Sequence, residues 1–231
     1  MIVIDISNKN LWVLFELDGE TVYITQTMLA TWFVMAALIV AAVFVRIKLK
    51  SFKEIPSGFQ NIVEAAVETI ANLTRTNLGE KFDFLGGYFF SVFFFIIASN
   101  YSGLVGLRPP TSDVSTTLAL AVTVFILLHF FGIKTRKGQY FKDYLSPFFL
   151  FLPMNIVGEF AKPVSLGFRL FGNILGGMII LEIIYSLPVF IRFAMPSALH
   201  AWFDLFSGGL QAFVFTILSM TYLSLQTSTD E

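Results

Sequence analysis

Cysteine is missing from this 231-residue chain, which excludes disulfides, thiolate metal sites and thiol nucleophiles. Histidine occurs twice, at His129 and His200. There is no H-E-x-x-H or G-x-S-x-G pattern, so neither a zinc-protease nor a serine-hydrolase framework is available. Charge is scarce: 13% of residues are Asp, Glu, Lys or Arg, against about 25% in a soluble globular chain. The formal net charge of −1 offers nucleic acid no basic surface. No internal repeat of the strength expected for an inverted-repeat transporter is present. What remains is apolar: 56% of residues are hydrophobic, 16% aromatic and 28 are Phe, with a mean hydropathy of +0.76. The expectation is one all-α integral membrane domain over residues 1–231, polytopic, in contact with the lipid bilayer.

Along the chain, residues 1–27 read as a short polar tail without the basic start and cleavage site of a signal peptide. Residues 28–45 form a first span of sufficient length. It ends at Arg46, Lys48, Lys50 and Lys53, a cluster that assigns this end to the cytoplasm and the N-terminus to the outside. Residues 56–78 carry Phe59, Ile62, Val63, Ala66, Val67, Ile70 and Leu73 at helical spacing, with Asn61, Glu64, Glu68 and Asn72 opposite. This is an amphipathic helix, lying either on the membrane surface or against other protein. Residues 84–107 cross outward, and Arg108-Pro109-Pro110-Thr111-Ser112-Asp113 makes an external turn. Residues 115–133 return to Lys134, Arg136, Lys137 and Lys142, again marking cytoplasm. Residues 144–187 form a long helical region punctuated by Pro147, Pro153 and Pro163, tilted or bent. A turn carrying Arg192 leads to a second long helix, 197–225, and a cytoplasmic C-terminus.

The chain is organised around Lys162–Met178, KPVSLGFRLFGNILGGM. Arg169 stands there ten residues after Glu159 and thirteen before Glu182, with no acid between. A guanidinium holds its charge under nearly all conditions, and placing one mid-membrane costs about 3 kcal/mol or more. Lys162, Ser165, Arg169, Asn173 and Gly176 share one helical stripe. Glu182 lies about 140° from it. At 1.5 Å per residue, Glu159 and Glu182 lie about 15 and 20 Å to either side of Arg169. On the last helix, His200, Asp204 and Gln211 share a face, Gln211 near the level of Arg169. Gly172, Gly176 and Gly177 would let another backbone come close, either a partner's or the neighbouring helix of this chain.

Polar groups thus lead in from both sides towards a fixed cation. That describes two aqueous half-paths that do not join. The chain holds no mobile ion carrier, so a carboxylate on a partner would have to pass Arg169. At ~4 Å in an effective dielectric near 20 the attraction is about 4 kcal/mol, or roughly three pKa units. This suffices to strip a proton from a buried acid. The alternative class is a free-standing ion channel or secondary transporter. His129, near the cytoplasmic end of its span, reads as structural.

In Lys162–Asn173 the sequence resembles, nearly position for position, the arginine helix of subunit a of the F-type ATP synthase membrane sector. Gln211-Ala212-Phe213 resembles that family's motif on the last helix, and Pro110–Asp113 with Thr116–Ala121 its external turn and following helix. The resemblance implies a stator subunit beside a ring of c subunits, joined to a b-subunit peripheral stalk and the remainder of the ATP synthase, in a bacterial cell membrane. It implies no catalysis by the chain alone and no cofactor or metal. Arg169 would be the essential ion-gating arginine, and Asn173 and Gln211 its polar neighbours. Asp204 would be the titratable group of the external path. One position departs: many bacterial members carry Glu nine residues after the arginine, where this chain has Met178. Glu182 and Asp204 together are expected to replace it, unless Glu182 only pairs with Arg192 or His200. Glu159 and Ser165 would belong to the cytoplasmic side of the pathway, with Lys162 interfacial.

Overall fold

The computed structural model describes residues 10–17, 20–53, 58–145, 148–188 and 195–228. Two short antiparallel strands, β1 (Asn10–Leu17) and β2 (Glu20–Thr25), lead into helix α1 (Gln26–Lys48). The second half of the expected polar tail is therefore a hairpin, and the first span begins at its end. Thr25 caps α1 by accepting from the Met28 N–H. Only Thr27, Ala30 and Val34 of α1 are buried, while Trp32, Phe33, Ile39 and Val40 point outward. Such an inverted surface suits lipid and not water. At its far end Lys48 Nζ lies 4.9 Å from the Phe44 ring centre and 5.3 Å from that of Phe59. This cation–π pair joins α1 to the start of α2 (Phe59–Leu78).

Helix α2 uses its apolar stripe in two ways. Ile70, Thr74 and Leu78 are buried against the bundle, whereas Ile62 and Val67 stay exposed. Intramolecular packing thus takes the C-terminal half, and the N-terminal half keeps an open apolar edge. Gly79, at φ 77°, ends the helix in a conformation that only glycine adopts without strain.

The remaining elements are α3 (Gly86–Tyr101), α4 (Val114–Arg136), a short α5 (Gly138–Tyr144), α6 (Leu152–Tyr185), α7 (Met195–His200), a π-helical segment (Ala201–Ser207) and α8 (Gly208–Thr227). Among the described residues, five helical stretches are long and apolar enough to cross a membrane: Gln26–Ser51, Glu80–Val105, Val114–Arg136, Phe149–Tyr185 and Met195–Thr227. The expected 144–187 region is divided. Its first residue ends α5, and the long helix starts at Leu152 after a 3₁₀ turn at Phe149–Phe151. Pro147 and Arg192 lie outside the described residues. Pro153 sits in the first turn of α6, where a missing N–H costs nothing. Pro163 is buried inside the helix, which continues through it.

The core is shared by α3, α4, α6 and α8. Phe89 and Ile96, Val124 and Leu128, Leu166 and Leu170, and Phe215 and Leu223 are almost wholly enclosed. Helix α6 lies close on α4 because Gly167 has no side chain. A Cβ there would stand 3.0 Å from Leu118 Cδ2 and 3.4 Å from both Ala121 Cβ and the Thr117 carbonyl. This contact fixes the rotation of α6 two residues before Arg169. A buried polar clamp fixes the other long helix. Asn100 Nδ2 donates to the Gly208 carbonyl at 2.7 Å and Asn100 Oδ1 accepts from Thr111 Oγ1 at 2.6 Å. Asp113 locks the same corner. One oxygen caps α4 at the Ser115 N–H (3.0 Å), and the other accepts from Thr27 Oγ1 on α1 (3.0 Å). Asp113 is therefore committed to holding two helices together.

Two stability effects follow from this packing. Gly167→Val overpacks the α4–α6 contact and should cost about 1–3 kcal/mol, read as a lower unfolding midpoint in detergent, while Gly167→Ala is absorbed by a shift of the Leu118 tip. Asn100→Ala strands the Thr111 hydroxyl and the Gly208 carbonyl in a dry site and should cost about 1–3 kcal/mol by the same measurement.

Candidate functional site

Arg169 lies on an exposed face of α6 and forms no hydrogen bond or ion pair with any described residue. On either side of it along that face, Ala161, Ser165 and Gly172 are also exposed. A Cβ built on Gly172 or Gly176 would meet nothing within 4 Å, whereas one on Gly177 would stand 3.0 Å from the Phe203 side chain. The small residues thus divide by role. Gly177 serves packing inside the chain, and Gly172 and Gly176 leave a shallow open strip beside the guanidinium.

One turn past Arg169, Asn173 is half-buried and accepts a hydrogen bond from Ser207 at 2.9 Å. Its own Nδ2 and the Nε2 of half-buried Gln211 are enclosed donors with no acceptor. These are buried polar groups whose hydrogen-bonding capacity is left unused within the described residues. Ser207 was not among the expected residues, although it stands three places after Asp204.

Towards the end of the bundle that carries Arg136, a cavity of ≈ 230 Å³ is lined by Arg136, Tyr140, Tyr144, Glu159, Lys162 and Gln226. Both oxygens of Glu159 are engaged. One accepts from Lys162 Nζ at 2.5 Å and the other from Gln226 Nε2 at 2.6 Å, which ties α6 to the end of α8. Lys162 is thereby part of the cavity wall and not a free interfacial charge. Tyr140 and Tyr144 share a hydrogen bond of 2.8 Å. Burial raises both hydroxyl pKa values above the ordinary phenol range, so they stay protonated. Gln226 comes from the stretch read as tail, Tyr140 from a loop, and Tyr144 from the start of the region read as the long helix.

Towards the opposite end, a cavity of ≈ 290 Å³ gathers Arg108, Met178, Glu182, Tyr185, His200 and Asp204. Glu182 and Asp204, expected to act together, do share this space. The alternative in which Glu182 pairs with His200 does not hold. The imidazole is taken on both sides, Nδ1 at 2.5 Å from Asp204 Oδ2 and Nε2 at 2.8 Å from Tyr185 Oη. Glu182 forms no hydrogen bond or ion pair with a described residue. Asp204 fits closely because Gly103 is opposite; a Cβ there would stand 3.3 Å from its Oδ2. The even α-helical spacing of His200, Asp204 and Gln211 is broken by the π segment, whose wider turn intervenes between Asp204 and Gln211. Asp204 lines the cavity, and Gln211, two turns further along, does not.

No residue lines both cavities, and Arg169 falls between them in the sequence of α6. His129 belongs to neither: its Nδ1 bonds the Phe125 carbonyl of its own helix at 2.9 Å, and its ring lies 3.9 Å from that of Phe125.

A family model described as ATP synthase A chain matches residues 28–224, a stretch that holds every residue of both cavities except Leu225 and Gln226. With a five-span helical fold and that match over most of its length, the chain belongs to the ATP synthase A chain family, the proton-translocating stator subunit of the membrane sector of the F-type ATP synthase, which is not catalytic by itself.

Proposed function

We propose that Arg169 is the gate between two offset proton half-channels, and that a carboxylate on a ring of c subunits passes it. The observation that carries this reading is the exposed guanidinium without a counter-ion among the described residues. An unpaired charge at membrane depth is costly, and an acid arriving from outside relieves that cost. At ~4 Å and an effective dielectric near 20, the attraction of about 4 kcal/mol drives the proton off the ring carboxyl as it comes alongside. The open strip at Gly172 and Gly176 gives such a partner close access.

By the positive-inside rule the Arg46, Lys48, Lys134 and Arg136 ends face the cytoplasm. The Glu159 cavity is then the cytoplasmic half-channel, with Ser165 on the way to it. The cavity of Glu182, His200 and Asp204 is the external one, and the acid missing at Met178 is supplied from Glu182 and Asp204. The N-terminus is external, the C-terminus cytoplasmic and the host membrane a bacterial cell membrane. A b-subunit peripheral stalk and the rest of the complex complete the stator.

Two experiments test this in membranes carrying the whole complex. Arg169→Ala should abolish proton-driven ATP synthesis while leaving the complex assembled; synthesis at normal rates would defeat the proposal. Glu182→Gln and Asp204→Asn should each lower proton-driven synthesis by about tenfold or more, and a Glu182→Gln complex working normally would remove Glu182 from the path.

A further inference from the structure

The external cavity holds a connected hydrogen-bond chain that uses two residues outside the family motifs. Tyr185 Oη lies 2.8 Å from His200 Nε2, and His200 Nδ1 lies 2.5 Å from Asp204 Oδ2. Exposure falls along it: Tyr185 is 47% exposed, while the side chains of His200 and Asp204 are 28% and 13% exposed. Tyr185 is the last residue of α6, so the outer end of the chain stands at the end of a span. The chain ends at Asp204; three residues on, Ser207 donates a separate 2.9 Å bond to Asn173, four residues from Arg169. Glu182 and Arg108 face the same cavity from α6 and from the turn after α3.

We propose that Tyr185 and His200 form a proton relay that delivers protons from the outer surface to Asp204, an inference that rests on the half-channel reading above. With Nδ1–H donated to the Asp204 carboxylate, Nε2 accepts from the tyrosine hydroxyl. A proton arriving at Oη displaces the hydroxyl proton onto Nε2, giving an imidazolium. The imidazolium releases its Nδ1 proton to Asp204, so one proton enters and one leaves, and tyrosine and histidine end neutral. The ring now carries its hydrogen on Nε2; once Asp204 has passed its proton inward, water in the cavity takes the Nε2 proton and returns one to Nδ1, which restores the first tautomer with no net gain or loss of protons. Such a chain carries protons only, because no step opens a site for a metal cation. Asp204 therefore takes its proton from His200, and Tyr185 is the collecting group.

The test uses membrane vesicles with the complete complex. His200→Ala should slow proton-driven synthesis about tenfold, and added imidazole should restore a large part of the rate. The same imidazole should give no gain in the unaltered complex or in Asp204→Asn. Tyr185→Phe, which keeps the ring and loses only the hydroxyl, should slow synthesis several-fold and keeps the test decisive if His200→Ala does not assemble. Normal rates in either variant overturn the relay, and so does a His200→Ala defect that imidazole leaves unchanged. Arg169→Ala measured alongside separates the two levels: if it alone is defective, the relay fails and the gate stands; if it works normally, the gate itself fails.

Discussion

A permanent positive charge without a partner among the described residues is the constraint that the rest of the structure answers. A guanidinium cannot escape by losing its proton, as a buried lysine or carboxylate can. It must be paired, hydrated or left exposed to something outside the molecule. In this protein it is left exposed, on a helix face otherwise kept shallow by Ala161, Ser165 and Gly172. The opposite face of the same helix is buried through Leu166, Gly167 and Leu170. Helix α6 therefore serves two masters along its length. Its apolar face anchors it to α4, and that anchorage fixes where the charge points.

The polar groups around this site fall into two kinds. Asn100, Asp113 and Glu159 have their acceptors and donors filled by residues from other elements. They work as rivets, since a satisfied polar group in a dry site resists rearrangement. Asn173 Nδ2 and Gln211 Nε2 are enclosed and unmet. An unmet donor is a standing cost of about 1–3 kcal/mol, which the two long helices carry at Asn173 and Gln211.

Much of this was legible in the sequence, for definite reasons. A run of some twenty apolar residues has one physical meaning in a chain this poor in charge, so the spans could be read directly. The arginine helix was legible because a lone cation in such a run is rare and its neighbours are specific. What lay beyond reading depended on how helices rotate against each other. Single-helix geometry turned Glu182 away from the Arg169 stripe without showing that Tyr185, one turn further along, would meet His200 across the gap. The π segment left no signal in Ala201–Ser207, yet its wider turn changes the angle between Asp204 and Gln211 from that of a regular helix. The hairpin had a signal that counting charges obscures: Asn10–Leu17 and Glu20–Thr25 flank Asp18-Gly19, a dipeptide favoured between paired strands.

The shallow strip has a mechanical corollary. Ala161, Ser165, Gly172 and Gly176 keep the helix low on one side of Arg169, while Lys162 and Asn173 flank it on the other. On the proposed reading a moving body can come near the guanidinium from the low side, so the profile that it feels there is set chiefly by one charge and the moving part is braked and released by electrostatics.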